Sequence, residues 1–159
     1  MRNCLPYDPG VLPTKLAPSA GESLTCRVNG LPPYKDEHFS IRNVRHKIHD
    51  RFKALRDAAI RSMDGRAPYR GPVRLDFDMH APGFEAGTAL IDYTGGIEDI
   101  LDGSHGVEFT YLPIVYEDDC QVCAGRSRLI RDPSEFYELR ITFLGETVDG
   151  ETPVGGGAE

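Results

Sequence analysis

The segment written VRLDFDMH, residues 73–80, alternates strictly between apolar and polar side chains. This period of two predicts a β-strand with one buried face and one solvated face. The apolar face consists of Val73, Leu75, Phe77 and Met79. On the other face Asp76 and Asp78 lie two residues apart, where ordinary solvation is favoured over a shared cation.

A longer stretch, residues 41–63, shows the helical period instead. Apolar side chains recur every three or four residues in one stripe, which consists of Ile41, Val44, Ile48, Phe52, Leu55 and Ala59. This spacing predicts a long amphipathic helix, and Ser40 just before it is a suitable N-cap. The lysines and arginines of the segment lie largely off the stripe, on the face expected to meet solvent.

The remaining patterned segments predict more strands and one short helix. ESLTCRVNG alternates until the prolines of LPP end it, since proline cannot donate to a β-ladder. DYTGGIEDILDG predicts a short helix closed by Gly103. TYLPIVY and DCQVCAGRSRLI are predicted strands around the turn EDD, and FYELRITFL is the last strand. The order β-α-β-α-β-β-β indicates an α+β fold, a small mixed β-sheet with one long and one short helix.

The two ends of the chain lack these periods. Residues 1–21 are rich in proline, glycine and serine and predict a flexible N-terminal arm, while residues 146–159 predict a disordered tail. The folded domain is expected to span residues 22–145. The first residues do not resemble a signal peptide, and no apolar run is long enough to cross a bilayer. We therefore expect a cytoplasmic protein with no membrane partner.

Charge is sorted along the chain, although the net charge of −7 hides it. Residues 41–75 contain ten lysines and arginines against three acids, whereas residues 76–119 contain eleven acids and no lysine or arginine. The simpler interpretation is a solvated surface with chance segregation, which charge alone favours. The sharper hypothesis is a phosphate-binding surface beside a cation-binding one.

The acids of VYEDDCQV are the first candidates for chemistry. Adjacent aspartates at a strand boundary commonly form a turn. The alternative is a site for Mg²⁺, which prefers carboxylate oxygens together with water and substrate phosphate. Asp119 would then need a second carboxylate, for which Asp92 is the suitable donor. Glu98 and Asp102 are expected on the surface.

Two other motifs have simple and functional interpretations. Cys120 and Cys123 form a lone C-x-x-C pair. Three residues apart in a strand, they would point to opposite faces, so a zinc or redox role remains only an alternative. Gly95 and Gly96 are not followed by the Lys-Ser or Lys-Thr of a P-loop. They indicate either a tight helix start or a close approach of backbone to a phosphate or a partner helix.

Taken together, the order of elements and two motifs resemble the RusA-like Holliday-junction resolvases, small phage-type endonucleases. A first strand ending in LPP precedes a long basic helix, and EDDCQV resembles the family motif D-D-x-Q-[VI]. DYTGGIEDILDG resembles the family stretch D-x-D-N-L-x-K-x-x-x-D-A-L-x-G. The likeness spans roughly residues 24–143. It implies a Mg²⁺-dependent, homodimeric enzyme that cleaves branched DNA in recombination and repair.

The resemblance also implies roles for individual acids. Asp118 and Asp119 match the two aspartates of D-D-x-Q, and the second is a metal ligand in the family. Asp92 is the other implied ligand, so Asp92, Asp118 and Asp119 form the implied catalytic set. Asp99 matches a supporting aspartate, and Gly95 and Gly96 lie beside it in the helix.

The match is incomplete in the helix. With Asp99 in register, the two family acids fall on Ala89 and Ile91, and the family lysine falls on Gly95. Asp92, with Glu85 or Asp78, would have to rebuild the site. A non-catalytic protein that binds branched DNA or a partner therefore remains an alternative.

Basic residues near the start of the long helix complete the implied site. Lys35, Arg42 and Arg45 are expected to contact DNA phosphates. The competing interpretation is an ordinary solvated basic surface.

Overall fold

The computed structural model describes residues 13–103 and 113–146. In chain order the elements are β1 (Ser23–Asn29), α1 (His49–Met63), β2 (Val73–Ala81), α2 (Leu90–Leu101), a 3₁₀ turn (Asp119–Gln121), β3 (Val122–Arg131) and β4 (Phe136–Phe143). Neither helix has the length and apolar character needed to cross a membrane within the described ranges.

The four strands form one mixed sheet in the order β1-β4-β2-β3. The last strand, β4, lies in the interior of the sheet and pairs antiparallel with both β1 and β2, while β2 and β3 run parallel. The parallel pair is joined through α2, as parallel strands require a long crossover. The predicted small mixed-sheet α+β fold is confirmed.

One predicted strand is not formed in the described part of the chain. Residues 113–116 of the TYLPIVY segment contribute only an isolated bridge between Tyr69 and Tyr116. Its first three residues lie outside the described ranges. The apolar residues of the segment are nevertheless buried, as Ile114, Val115 and Tyr116 show. An apolar run in a buried connection reads like a strand, because burial alone produces the same composition.

The long helix is shorter than predicted. It begins at His49, and residues 41–48 form successive turns instead of the first two helical turns. Polar side chains in this segment capture backbone N–H groups: the Asn43 side chain accepts from Arg45 N, and His46 Nδ1 accepts from Ile48 N. Such local bonds compete with a helix. Ser40 is therefore not the N-cap, and Ile48 holds that position without a side-chain bond.

The predicted alternation in β2 matches its burial. Leu75, Phe77 and Met79 are almost completely buried beneath the helices, together with Tyr137 and Leu139 of β4. Phe52 and Leu55 of α1 and Ile97 of α2 face the same core. The helices therefore cover one face of the sheet, and α2 packs against β3, which positions the end of α2 beside the start of β3.

Part of the predicted N-terminal arm is packed on the domain. Thr14 N and Lys15 N donate to Gly65 O, and Gly21 N donates to Phe143 O at 2.7 Å. Residues 1–12 of the arm, and residues 147–159 of the predicted tail, lie outside the described ranges.

Arg51 joins four segments through one half-buried network. Its guanidinium donates to both carboxylate oxygens of Glu85, at 2.7 and 2.8 Å, and to Pro32 O. Tyr93 of α2 donates to the same carboxylate at 2.7 Å. These hydrogen bonds, with the guanidinium contributing most, lower the pKa of Glu85. Glu85 therefore has a structural role: its hydrogen bonds hold the β2–α2 loop against α1.

Arg51→Met is expected to lower the free energy of unfolding by about 1–2 kcal/mol, between the values of exposed and buried ion pairs. Because the folded-state pKa of Glu85 is lowered, the stabilisation is present above the carboxylate's unfolded pKa and is lost as pH falls through the folded one. Urea unfolding of both chains at neutral and acidic pH measures this. A stability difference that stays constant into strong acid would contradict the assignment.

Candidate metal centre

The predicted acidic turn is built around one glutamine. Gln121 Oε1 accepts from the backbone N–H groups of Glu117 and Asp118, at 2.9 and 3.0 Å. Its Nε2 donates to Tyr69 O and Gly71 O, both at 2.8 Å. All four bonds leave the turn little freedom, so the Gln121 side chain fixes the position of the two aspartates before it.

The two adjacent aspartates have different roles in this turn. Asp118 Oδ1 accepts from Cys120 N at 2.9 Å and so caps the 3₁₀ turn. Asp119 is exposed, and its own N–H donates to the Asp102 carboxylate at 3.1 Å. The turn-forming interpretation therefore holds for Asp118, while the Asp119 side chain is left to face the end of α2.

Three carboxylates meet at this point. One oxygen each from Asp99, Asp102 and Asp119 lies within 4.8 Å of the others. Asp99 and Asp102 are three residues apart at the C-terminal end of α2, where that spacing places them on one face. Asp102 was predicted on the surface and is in fact only 4% exposed. It is the functional candidate that sequence reasoning missed, although the Asp99–Asp102 spacing was visible.

The acids around this cluster raise one another's pKa. Partial removal from water raises the pKa of Asp119, and the carboxylates of Asp118 and Asp99 raise it further. The pKa of Glu98 is raised for the same reasons, first by burial and then by Asp119. A bound cation would reduce the repulsion between these carboxylates.

Two of the three predicted DNA contacts lie beside the acids. Lys35 Nζ is 3.6 Å from Asp99 Oδ2, and the Lys35 side chain is 62% exposed. Arg42 was predicted to contact phosphate, but it is buried and donates to Asp99 O at 3.1 Å. Arg42 therefore supports the end of α2. Arg45 is exposed and free to meet solvent with its side chain.

The structure does not bring Asp92 to Asp119. Asp92 lies in the first turn of α2, and its Oδ2 accepts from Ala89 N at 2.7 Å. Asp99 is seven residues further on, about 10 Å along the helix axis at about 1.5 Å per residue. Asp92 thus caps the helix start. The other suggested replacements are also engaged, Glu85 with Arg51 and Asp78 with Arg128.

The two glycines of α2 have different environments. A Cβ on Gly96 would lie 2.7 Å from both Pro33 O and Tyr34 Cα, whereas a Cβ on Gly95 would meet nothing within 4 Å. The predicted close approach is therefore real at Gly96, with the chain's own loop as the partner. That contact holds the loop bearing Lys35 against α2, where Lys35 N donates to Asp92 O.

The cysteines do not assemble a metal site among the described residues. Cys120 and Cys123 are both exposed free thiols, and the Cys123 thiol contacts Val73 O. Cys26 is buried in the core, and Cys4 lies outside the described ranges. Within those ranges, the three aspartates are the only group of three or more acids, histidines or cysteines close enough to share an ion.

No protein-family model and no curated protein matches this chain. The likeness to RusA-like resolvases is therefore carried by the residues and motifs quoted above.

A divalent cation is expected to stabilise the folded chain by binding at these acids. At an ion concentration a hundred times Kd the gain is about 2.7 kcal/mol, which raises the melting temperature by several degrees. Asp102→Asn should lose most of this shift, while Asp92→Asn should retain it. Thermal unfolding with Mg²⁺ and with EDTA tests this. An unchanged shift in Asp102→Asn would remove Asp102 from the ligand set.

Proposed function

We propose that this protein is a RusA-like, Mg²⁺-dependent, structure-selective DNA endonuclease acting on branched DNA such as Holliday junctions. The single observation that carries the proposal is the convergence of Asp99, Asp102 and Asp119 on the D-D-x-Q turn. The proposed ligand set replaces the predicted pair of Asp92 and Asp119. Homodimerisation is part of the same proposal, from the resemblance alone.

The chemistry of the donors supports a hard cation. All three groups offer carboxylate oxygen, which suits Mg²⁺, Mn²⁺ or Ca²⁺ far better than soft metals. The mutual distance of up to 4.8 Å is somewhat wider than the about 4.2 Å across an octahedral Mg²⁺ shell. The exposed side chain of Asp119 is the one of the three with room to adjust when an ion binds.

Each neighbouring residue has a task in phosphodiester cleavage. Bound Mg²⁺ would supply an activated water and offset charge on the scissile phosphate. Asp99, Asp102 and Asp119 would hold the ion, Asp102 also accepts from Asp119 N, and Lys35 would contribute positive charge next to the reacting phosphate. Arg45, exposed on the adjacent turns, contacts the DNA backbone further away.

A non-catalytic junction-binding protein is the second candidate. It is favoured by two observations. Asp92 caps α2, so the first turn of the helix provides no ligand, and Gly95 stands where the family has a lysine. A zinc or redox role for Cys120 and Cys123 has no comparable support among the described residues, because no third ligand approaches them.

The experiment is cleavage of a labelled four-way junction by the wild-type chain with Mg²⁺, next to a linear duplex of the same sequence. We expect Mg²⁺-dependent incision of the junction and little incision of the duplex. Binding is measured separately in Ca²⁺, which commonly supports binding without efficient turnover. Junction binding without incision would reject the nuclease and support the second candidate. Absence of both binding and incision would reject both candidates.

A further inference from the structure

The face of the sheet opposite the helices is unusually rich in arginine. Strand alternation places five arginines and three acids there: Arg27, Arg74, Arg126, Arg128, Arg140, Asp76, Asp78 and Glu138. The chain as a whole has a net charge of −7, so this face has the opposite sign to the average surface. A local excess of positive charge is how an acidic protein holds a polyanion.

Within the part of the chain that the structure describes, only three of these five arginines form ion pairs. Each of the three acids is paired with one arginine: Arg27–Glu138, Arg74–Asp76 and Arg128–Asp78. Arg126 and Arg140 are exposed and form no ion pair with any residue of the described ranges. The register places Arg140 and Arg126 on either side of Asp76, one strand away in each direction.

These two arginines border a shallow depression. It has a volume of about 320 Å³ and is also lined by Thr25, Leu139 and three acids, Asp76, Asp78 and Glu138. Each of these carboxylates forms an ion pair with another arginine of the same face, which offsets its repulsion of a phosphate. Because adjacent strands are about 4.8 Å apart, the two guanidinium groups start from backbone positions about 10 Å apart. They can thus contact different phosphates of one extended chain, while Asp76 is held by Arg74.

A flat stacking surface lies on the same face. The Arg27 guanidinium carbon is 3.8 Å from the centre of the Phe136 ring, which also stacks on His80 at 4.1 Å. The Arg27 side chain is 58% exposed, so the outer plane of its guanidinium is accessible. Unpaired nucleobases stack on guanidinium planes in this way.

We propose that the open face of this sheet binds single-stranded nucleic acid. Arg126 and Arg140 contact backbone phosphates, and Arg27 stacks on a base. A duplex is excluded as the preferred ligand, because a cylinder touches a flat sheet along a narrow stripe and its bases are already stacked. The surface lies across the sheet from the helix-side carboxylates, so binding needs no divalent ion and does not depend on the proposed nuclease activity.

The test is fluorescence anisotropy with a labelled thymidine oligonucleotide of about 12 nucleotides, a length within the site sizes of single-strand binders. EDTA is present throughout, so that neither cleavage nor metal binding contributes. Arg126→Ala/Arg140→Ala is expected to weaken binding by at least about tenfold and to reduce the salt slope by about 1.4, for two lost phosphate contacts. Lys53→Ala/Arg61→Ala removes two exposed charges from α1 and should leave affinity nearly unchanged.

Arg27→Lys separates stacking from charge. It should weaken oligonucleotide binding while preserving the salt slope, because the positive charge remains but the plane is lost. Melting curves confirm that each variant is folded. Equal losses in the two double variants would overturn the proposal, as would wild-type binding that is absent, equally strong for duplex, or equally strong for polyglutamate.

Discussion

Asp119→Asn is expected to abolish Mg²⁺-dependent cleavage of a four-way junction while leaving junction binding intact. Asparagine keeps the shape of the side chain and the backbone bond from residue 119 to Asp102, but it removes the charge that binds the ion. Disturbing even an outer partner of a metal ligand costs about 10–100-fold, so loss of a direct ligand should exceed that range. Initial cleavage rates at saturating Mg²⁺, beside binding in Ca²⁺, measure the effect.

Asp92→Asn is the matched control for this change. It neutralises another aspartate of the implied catalytic set, but one whose carboxylate accepts from Ala89 N at the start of α2. We expect near-normal cleavage and a loss of about 0.5–1 kcal/mol of stability from the weaker cap. An active Asp119→Asn variant would remove Asp119 from the metal site, and an inactive but folded Asp92→Asn variant would return Asp92 to it.

Gly96→Ala is expected to destabilise the fold by about 1–3 kcal/mol, the usual effect of adding a methyl group to a packed region. The new Cβ would lie 2.7 Å from backbone atoms of Pro33 and Tyr34, so the loop would have to move away from α2. The same displacement would carry Lys35 away from Asp99. We therefore expect a lower midpoint in urea together with weaker junction cleavage.

Gly95→Ala makes the identical change one residue earlier in the same helix. Its Cβ has open space, and alanine favours helix over glycine by about 1 kcal/mol. This variant should therefore be more stable than wild type. Equal destabilisation of both variants would contradict the assignment, because only Gly96 contacts Pro33 and Tyr34.

The elements that are predictable from the sequence are those whose pattern is local. The alternation in β2 determines which side chains reach the core, and Gly103 follows α2 with a left-handed φ of 67°. The D-D-x-Q turn is also recognisable in the sequence, but the sequence does not show why the glutamine is needed. Only the fold brings Gln121 to Tyr69 O and Gly71 O, fifty residues earlier in the chain.

The errors arise where tertiary contacts override a local pattern. The apolar stripe continues through residues 41–48, but side-chain bonds from Asn43 and His46 hold this segment in turns. Asp102 looked like one more surface acid because its burial depends on the 3₁₀ turn reaching it from another element. An aspartate at the start of a helix is typical both of a metal ligand and of a helix cap. Spacing along the chain does not distinguish the two roles for Asp92, and the structure shows the cap.

The position of β4 has a consequence for how the protein is made. This strand is the last in chain order among the described strands, yet within the described ranges it is the only strand that pairs with β1, the first of them. During synthesis β1 therefore has no strand to pair with until β4 has emerged from the ribosome. Contacts across such long sequence separations make folding slow and expose strand edges meanwhile. Completion of the sheet is a late event, and premature termination before Phe136 would leave β1 and β2 without their shared neighbour.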